Sequence, residues 1–123
     1  MSVMQSRDTR TEIAGADLSA AQFKFVTLDS GAVVTLAGTA GEAVYGVLIV
    51  GAATGRAVTV IRSGSVMIEA GGTITAGAAV ATDANGDAVA ATTGDIIAGY
   101  AKEAAVDGQI IEIELVTGGN ASA

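Results

Sequence analysis

Two carboxylates, Glu112 and Glu114, stand two residues apart in the segment IIEIEL near the end of the chain. On a strand, residues i and i+2 share a face. Two carboxylates on one face could serve as the acid and base of a glycosidase. A second acidic group, Asp83, Asn85 and Asp87, has the spacing that opens a calcium loop. Such a loop needs glycine at its sixth position and a bidentate glutamate at its twelfth. Here those places hold Ala88 and Gly94, so the metal reading fails and a hairpin turn accounts for the residues better. No glycine-rich segment ends in Gly-Lys-Ser/Thr, so no phosphate-binding loop of that type is present. There is no His and no Cys, which excludes Ser–His and Cys–His nucleophiles, imidazole bases and thiolate metal sites. Tyr45 and Tyr100 flank two glycines, where packing explains them more simply than ligand stacking does. An acidic pair on a solvated strand face is likewise the ordinary reading of Glu112 and Glu114. No catalytic, cofactor-binding or metal-binding residue is assigned.

Composition limits the partners. The net charge is −7, against a nucleic-acid backbone or an anionic membrane as the target. The start of the chain is polar, with no apolar stretch of the kind that opens a secretion signal, so a soluble cytoplasmic product is expected. Hydrophobic residues make up 50% of the chain but aromatics only 3%. Small side chains bury little area each, so further apolar surface is expected to be hidden in an oligomer or on a partner.

The elements that would position these residues are short. From Phe23 onward the apolar pattern has period two, broken by Gly-rich turns, which reads as strands. Asn85-Gly86 is a strong signal for a two-residue hairpin of type I′. Asp17–Gln22 and Ala101–Val106 offer at most a turn or two of helix. One stretch occurs twice: residues 41–61 over residues 94–114, at an offset of 53 (94 − 41), bring Gly41, Gly46 and Gly55 onto Gly94, Gly99 and Gly108. Glycines hold places where the backbone needs positive φ or close approach. The fold class is therefore all-β, a small barrel or sandwich built from two similar Gly-rich units. The expected organisation is an N-terminal arm over residues 1–15, one β domain over 16–118 and a flexible tail over 119–123. The arm is too polar to fold alone and should be dispensable for the fold. It carries Arg7 and Arg10, two of only six basic residues. Guanidinium groups pair bidentately with carboxylates, so these two are the candidate contacts to a partner surface or a neighbouring protomer.

The runs ADLSAAQFKFVTL, LDSGAVV and GEAVYGVLIVGAATGRAVTV resemble the first half of a bacteriophage capsid cement or decoration protein. The second half is similar to that family's most recognisable stretch. It keeps AGxxVxxDxxG from Ala76, GDxIxGxA from Gly94 and AAxxGxxxxI from Ala104. The likeness covers roughly residues 16–118 and rests on order and spacing, since each motif is mostly Gly, Ala and Val. It implies a small β-rich protein of the virion, made in the host cytoplasm, that binds the outer surface of an assembled head and stabilises it. It further implies the major capsid protein as partner and a homotrimer, with no enzyme activity, no cofactor, no nucleic acid and no membrane. Another phage structural module, a head-fibre base or tail component, is the alternative; a carboxylate-based hydrolase comes last.

Overall fold

The computed structural model describes residues 6–116, with side chains from Thr9 onward. Among these residues there are nine strands and no helix. They are β1 (Ser6–Ala14), β2 (Lys24–Asp29), β3 (Val33–Leu36), β4 (Gly46–Val50), β5 (Ala57–Glu69), β6 (Ala79–Thr82), β7 (Ala88–Ala90), β8 (Gly99–Ala101) and β9 (Ile110–Leu115). The segments 17–22 and 101–106 form no helix; turns and short extended pieces occupy them.

The first five strands close into a barrel. Their order is β1-β3-β2-β4-β5, and β1 pairs back onto β5. The remaining strands follow in the order β9-β8-β6-β7 from β5. Thirteen residues long, β5 serves both groups. Its first half pairs β1 and β4, and its second half pairs β9.

The two groups are the same unit used twice. In the first, Val47 faces Ile61 and Leu48 faces Val60; in the second, Tyr100 faces Glu114 and Ala101 faces Ile113, each 53 residues on. The hairpin β2–β3 pairs Val26 with Leu36 and Leu28 with Val34, and β6–β7 pairs Val80 with Ala90 and Thr82 with Ala88, each 54 residues on (80 − 26). One residue fewer joins the hairpin to the next strand in the second unit, which accounts for the change of offset. Even β1 has a counterpart. Ile13 pairs Ala57, and 56 residues on (69 − 13) Glu69 of β5 pairs Ile110. The parallel pairing of Ala14 with Val34 returns as the isolated bridge of Ala70 with Ala88. The second half of β5 is thus to the second unit what β1 is to the first.

The first strand falls within the expected arm, residues 1–15. Residues 6–14 are a strand of the first barrel, paired with β5 along Thr9–Ile13. The segment looks unfoldable because its described side chains are polar or exposed until Ala14, which is buried. What holds it is the backbone ladder, which composition does not report. Residues 1–5 and 117–123 lie outside the described residues, and the expected tail falls among the latter.

Each unit has its own core. Leu18, Val26, Val34, Leu48, Val58 and Val60 are buried together in the first. At the matching places of the second stand Ile74, Val80, Ala88, Ala101, Ile111 and Ile113. The outward faces of the first unit do not all meet water. Phe25, Ala37, Val47 and Ile61, which point away from the first core, are buried in the cluster of the second.

The three matched glycine pairs answer to two demands. Gly41, Gly94, Gly55 and Gly108 all have positive φ. Gly46 and Gly99 instead lie against a neighbouring backbone. A Cβ on Gly46 would stand 2.5 Å from the Ile61 carbonyl oxygen, and one on Gly99 would strike the equivalent carbonyl of Glu114.

Candidate functional site

The residues that could do chemistry are dispersed and already engaged. Asp83 uses one carboxylate oxygen to accept hydrogen bonds from the amides of Asn85 and Asp87, at 2.8 and 2.9 Å. Its own amide bonds the Asp87 carbonyl. Gly86 has positive φ but Asn85 does not. The turn is therefore a three-residue loop, a tight turn followed by a left-handed glycine, and not the expected two-residue type I′. Asp83 to Asp87 is a structural turn, and among the described residues no three acidic side chains converge as a metal site would require.

Glu112 is buried, contrary to its expected solvated face, while Glu114 is exposed. The Lys102 ammonium reaches the Glu112 carboxylate at 3.3 Å. Glu103 accepts the Glu112 amide at 3.0 Å. A buried charge must be paired, and this one is. Glu112 is thus tied into a structural pair, and Glu114 is left at the surface.

Tyr45 donates its hydroxyl hydrogen to Glu12 of β1. That bond, then burial and the Glu12 charge, raise the phenol above its ordinary pKa of 10.0. Arg62 stacks over the Tyr45 ring at 4.3 Å and donates from Nε to the Tyr45 carbonyl. The group staples β1 to the rest of the first barrel. Tyr100, by contrast, is 43% exposed. Of the two arginines expected to touch a partner, Arg10 lies on β1 with an exposed side chain, opposite Val60. Arg7 lies on the same strand, and its side chain is outside the described residues.

The most developed polar constellation joins the two units. Lys24, at the start of β2, reaches Asp87 of the second unit at 2.5 Å and Glu69 at 3.6 Å. Burial pushes the ammonium down, but Asp87 and Glu69 together outweigh it and hold Lys24 above its ordinary pKa of 10.5. Around this triad the backbones interlock. The Phe25 amide bonds the Gly86 carbonyl, the Glu69 amide bonds the Phe23 carbonyl, and the Gly41 amide bonds the Thr82 carbonyl. Sequence reading missed it because its members are separated by tens of residues. The one available signal was a lysine inside an apolar strand, which needs a carboxylate somewhere.

One groove of about 340 Å3 opens beside Lys24, between the 16–21 loop and Leu36. Its walls are mostly Ala and Leu, with Asp17 at the rim. Nothing convergent lines it. The described residues form a double β unit whose best-developed charged groups serve the fold.

The comparisons agree. A family described as phage cement protein matches residues 8–115, and the chain belongs to that family. No curated protein sequence matches it. Among solved structures it is similar to the N base of the head fibre gp8.5 of bacteriophage phi29. The two share 18% sequence identity and a TM-score of 0.74, over 94% of this chain and 98% of that one. At that identity the likeness speaks for the fold. The family assigns the chain a capsid decoration role.

Proposed function

We propose that this cement protein binds the outer surface of the assembled phage head, with the major capsid protein as its partner, and that it does so as a homotrimer of the virion. The observation that carries the reading is the cement-family match across residues 8–115. Three features support it. The charge of −7 places negative surface on the particle, which limits aggregation of heads. The absence of His and Cys suits an inert shell component. Large apolar residues remain exposed on both units, including Leu28 at 50% and Tyr100 at 43%, as expected of a chain that buries more surface on assembly. Arg10 on β1 and Arg7, three residues before it, are the candidate contacts to carboxylates on the head or on a neighbouring protomer. The protein is made in the host cytoplasm, where heads assemble.

The likeness to the phi29 head-fibre base favours a second reading, a foot that carries a fibre, and only the shared fold speaks for it. The test is co-sedimentation of purified protein with expanded, undecorated heads. Saturable binding to expanded heads, absent on unexpanded ones, is the expected result. No binding to either removes the decoration reading for this chain.

A further inference from the structure

The contact between the two units of one chain is of the head-to-tail kind: different faces meet. The first unit presents Phe23–Phe25, Leu36 and Gly41, the last bonded to the Thr82 carbonyl. The second receives them on Glu69, Thr82 and the 86–87 turn. Because the units are equivalent, each chain also carries one unused copy of each face. The unused presenting face lies on the second unit, where Ala78, Ala79 and Ala90 take the places of Lys24, Phe25 and Leu36. The unused receiving face lies on the first unit, where Ile13, Leu28 and Val33 take the places of Glu69, Thr82 and Asp87.

We propose that a second copy of this chain fills that vacancy: the second unit of one protomer docks on the first unit of the next, in the arrangement the two units already adopt within a chain. The contact would supply the interface of the homotrimer proposed above, and the inference rests on that reading.

Four observations carry it. First, the receiving positions of the first unit are apolar, and two of the three are open while Val33 is half-buried. Ile13 is 43% exposed and Leu28 50%. Isolated exposed apolar residues are ordinary, but Leu28 falls at the place where Thr82 of the second unit is fully buried. Second, the chemistry changes on both sides together. Inside the chain, a lysine meets two carboxylates. In the proposed contact, Ala78 meets Ile13 and Val33, so no charge is left unpaired on either side. Third, sizes change together. A Cβ on Gly86 would stand 2.7 Å from Leu36 Cδ1. The counterpart of Gly86 is Ala32, which has that Cβ, and the counterpart of Leu36 is Ala90, which makes room for it. Fourth, Gly41 is pressed against Asp95 in the internal contact, whereas its equivalent Gly94 has nothing near its Cβ position. Both glycines have the same left-handed backbone, at φ +78 and +91. The conformation is kept where the contact is still to be made.

A heterologous contact closes into a ring or runs on as a filament. Closure after three protomers would give the proposed trimer, a ring of six alternating units.

The charge pattern of the internal contact provides the test. Val33→Asp and Ala78→Lys each place an unpaired charge in the proposed interface. Combined, they rebuild the Lys24–Asp87 pair between protomers. Sedimentation velocity across micromolar concentrations should show the wild-type chain as an oligomer. Either single variant should weaken assembly at least tenfold, and the double variant should recover most of it, now in a salt-sensitive form. Val33 and Ala78 are half-buried, Ala78 against the core of the second unit, so thermal melts establish that each variant is folded before its assembly is read. A wild-type chain that stays monomeric at every concentration overturns the proposal. So does assembly indifferent to both single changes, or a double variant no better than the singles. Head co-sedimentation is measured separately: protomers that assemble as described yet ignore heads would sink the decoration reading and leave this contact standing.

Discussion

Gly46 and Gly99 sit where a β-strand passes so close to its neighbour that no side chain fits. A methyl group on Gly46 would meet the Ile61 carbonyl oxygen at 2.5 Å, and Ile61 is held in β5 by ladders on both sides. Neither partner has freedom to move, so Gly46→Ala and Gly99→Ala should each cost about 1–3 kcal/mol, the range of overpacking. Chemical denaturation measures this, and a loss below about 0.5 kcal/mol at both would show that the strands yield. Lys24 makes the other residue-level claim. Its folded-state pKa is raised above the ordinary 10.5 by Asp87 and Glu69 against the opposing effect of burial. A raised lysine contributes stability that is complete below its unfolded pKa and is lost as pH climbs through the folded value. The melting temperature should therefore fall on going above about pH 10.5. Lys24→Met should flatten the part of that fall that belongs to the ion triad. An unchanged alkaline profile in the variant would remove the triad from the stability of the unit contact. Tyr45 titrates in the same alkaline range and remains as the internal reference in that variant.

At the scale of elements, the repeat was legible because glycines mark fixed backbone demands, and the three matched pairs serve the same demand in both units. The alternating pattern of β2 also placed Phe25 and Val26 on opposite faces correctly. What pattern could not tell was that both faces are buried. Val26 enters the core of its own barrel and Phe25 the cluster of the next. The same limit hid Glu112, whose burial depends on a lysine ten residues away in sequence and beside it only in the fold. The first strand was least legible of all. Its described side chains are polar or exposed along Thr9–Ile13, and its stability comes from backbone pairing with β5 and from Glu12 under the Tyr45 hydroxyl. Removing residues 2–12 should therefore open the first barrel. Amide exchange should accelerate along β4 and the first half of β5, with little change in β8 and β9. Equal protection of both units after truncation would return the segment to the status of a dispensable arm.

At the scale of the whole molecule, the chain joins a five-stranded barrel and a second, similar β unit through one thirteen-residue strand, and among its described residues no three potential metal ligands converge. Its role follows from membership of the cement family. A protein that binds the assembled lattice and not its dissociated subunits stabilises the lattice by mass action. Each occupied site adds about 2.7 kcal/mol when free protein stands at a hundred times its Kd. Many protomers across a shell multiply that effect. The family resemblance was legible in the order and spacing of weak motifs. The proposed contact between protomers was not, since it draws on residues from distant strands, such as Ile13, Leu28 and Val33. The most direct measurement compares the disruption temperature of expanded heads with and without the protein at full occupancy. Decorated heads should survive to a higher temperature, and the gain should grow with free protein concentration. Equal disruption temperatures at verified full occupancy would contradict the account.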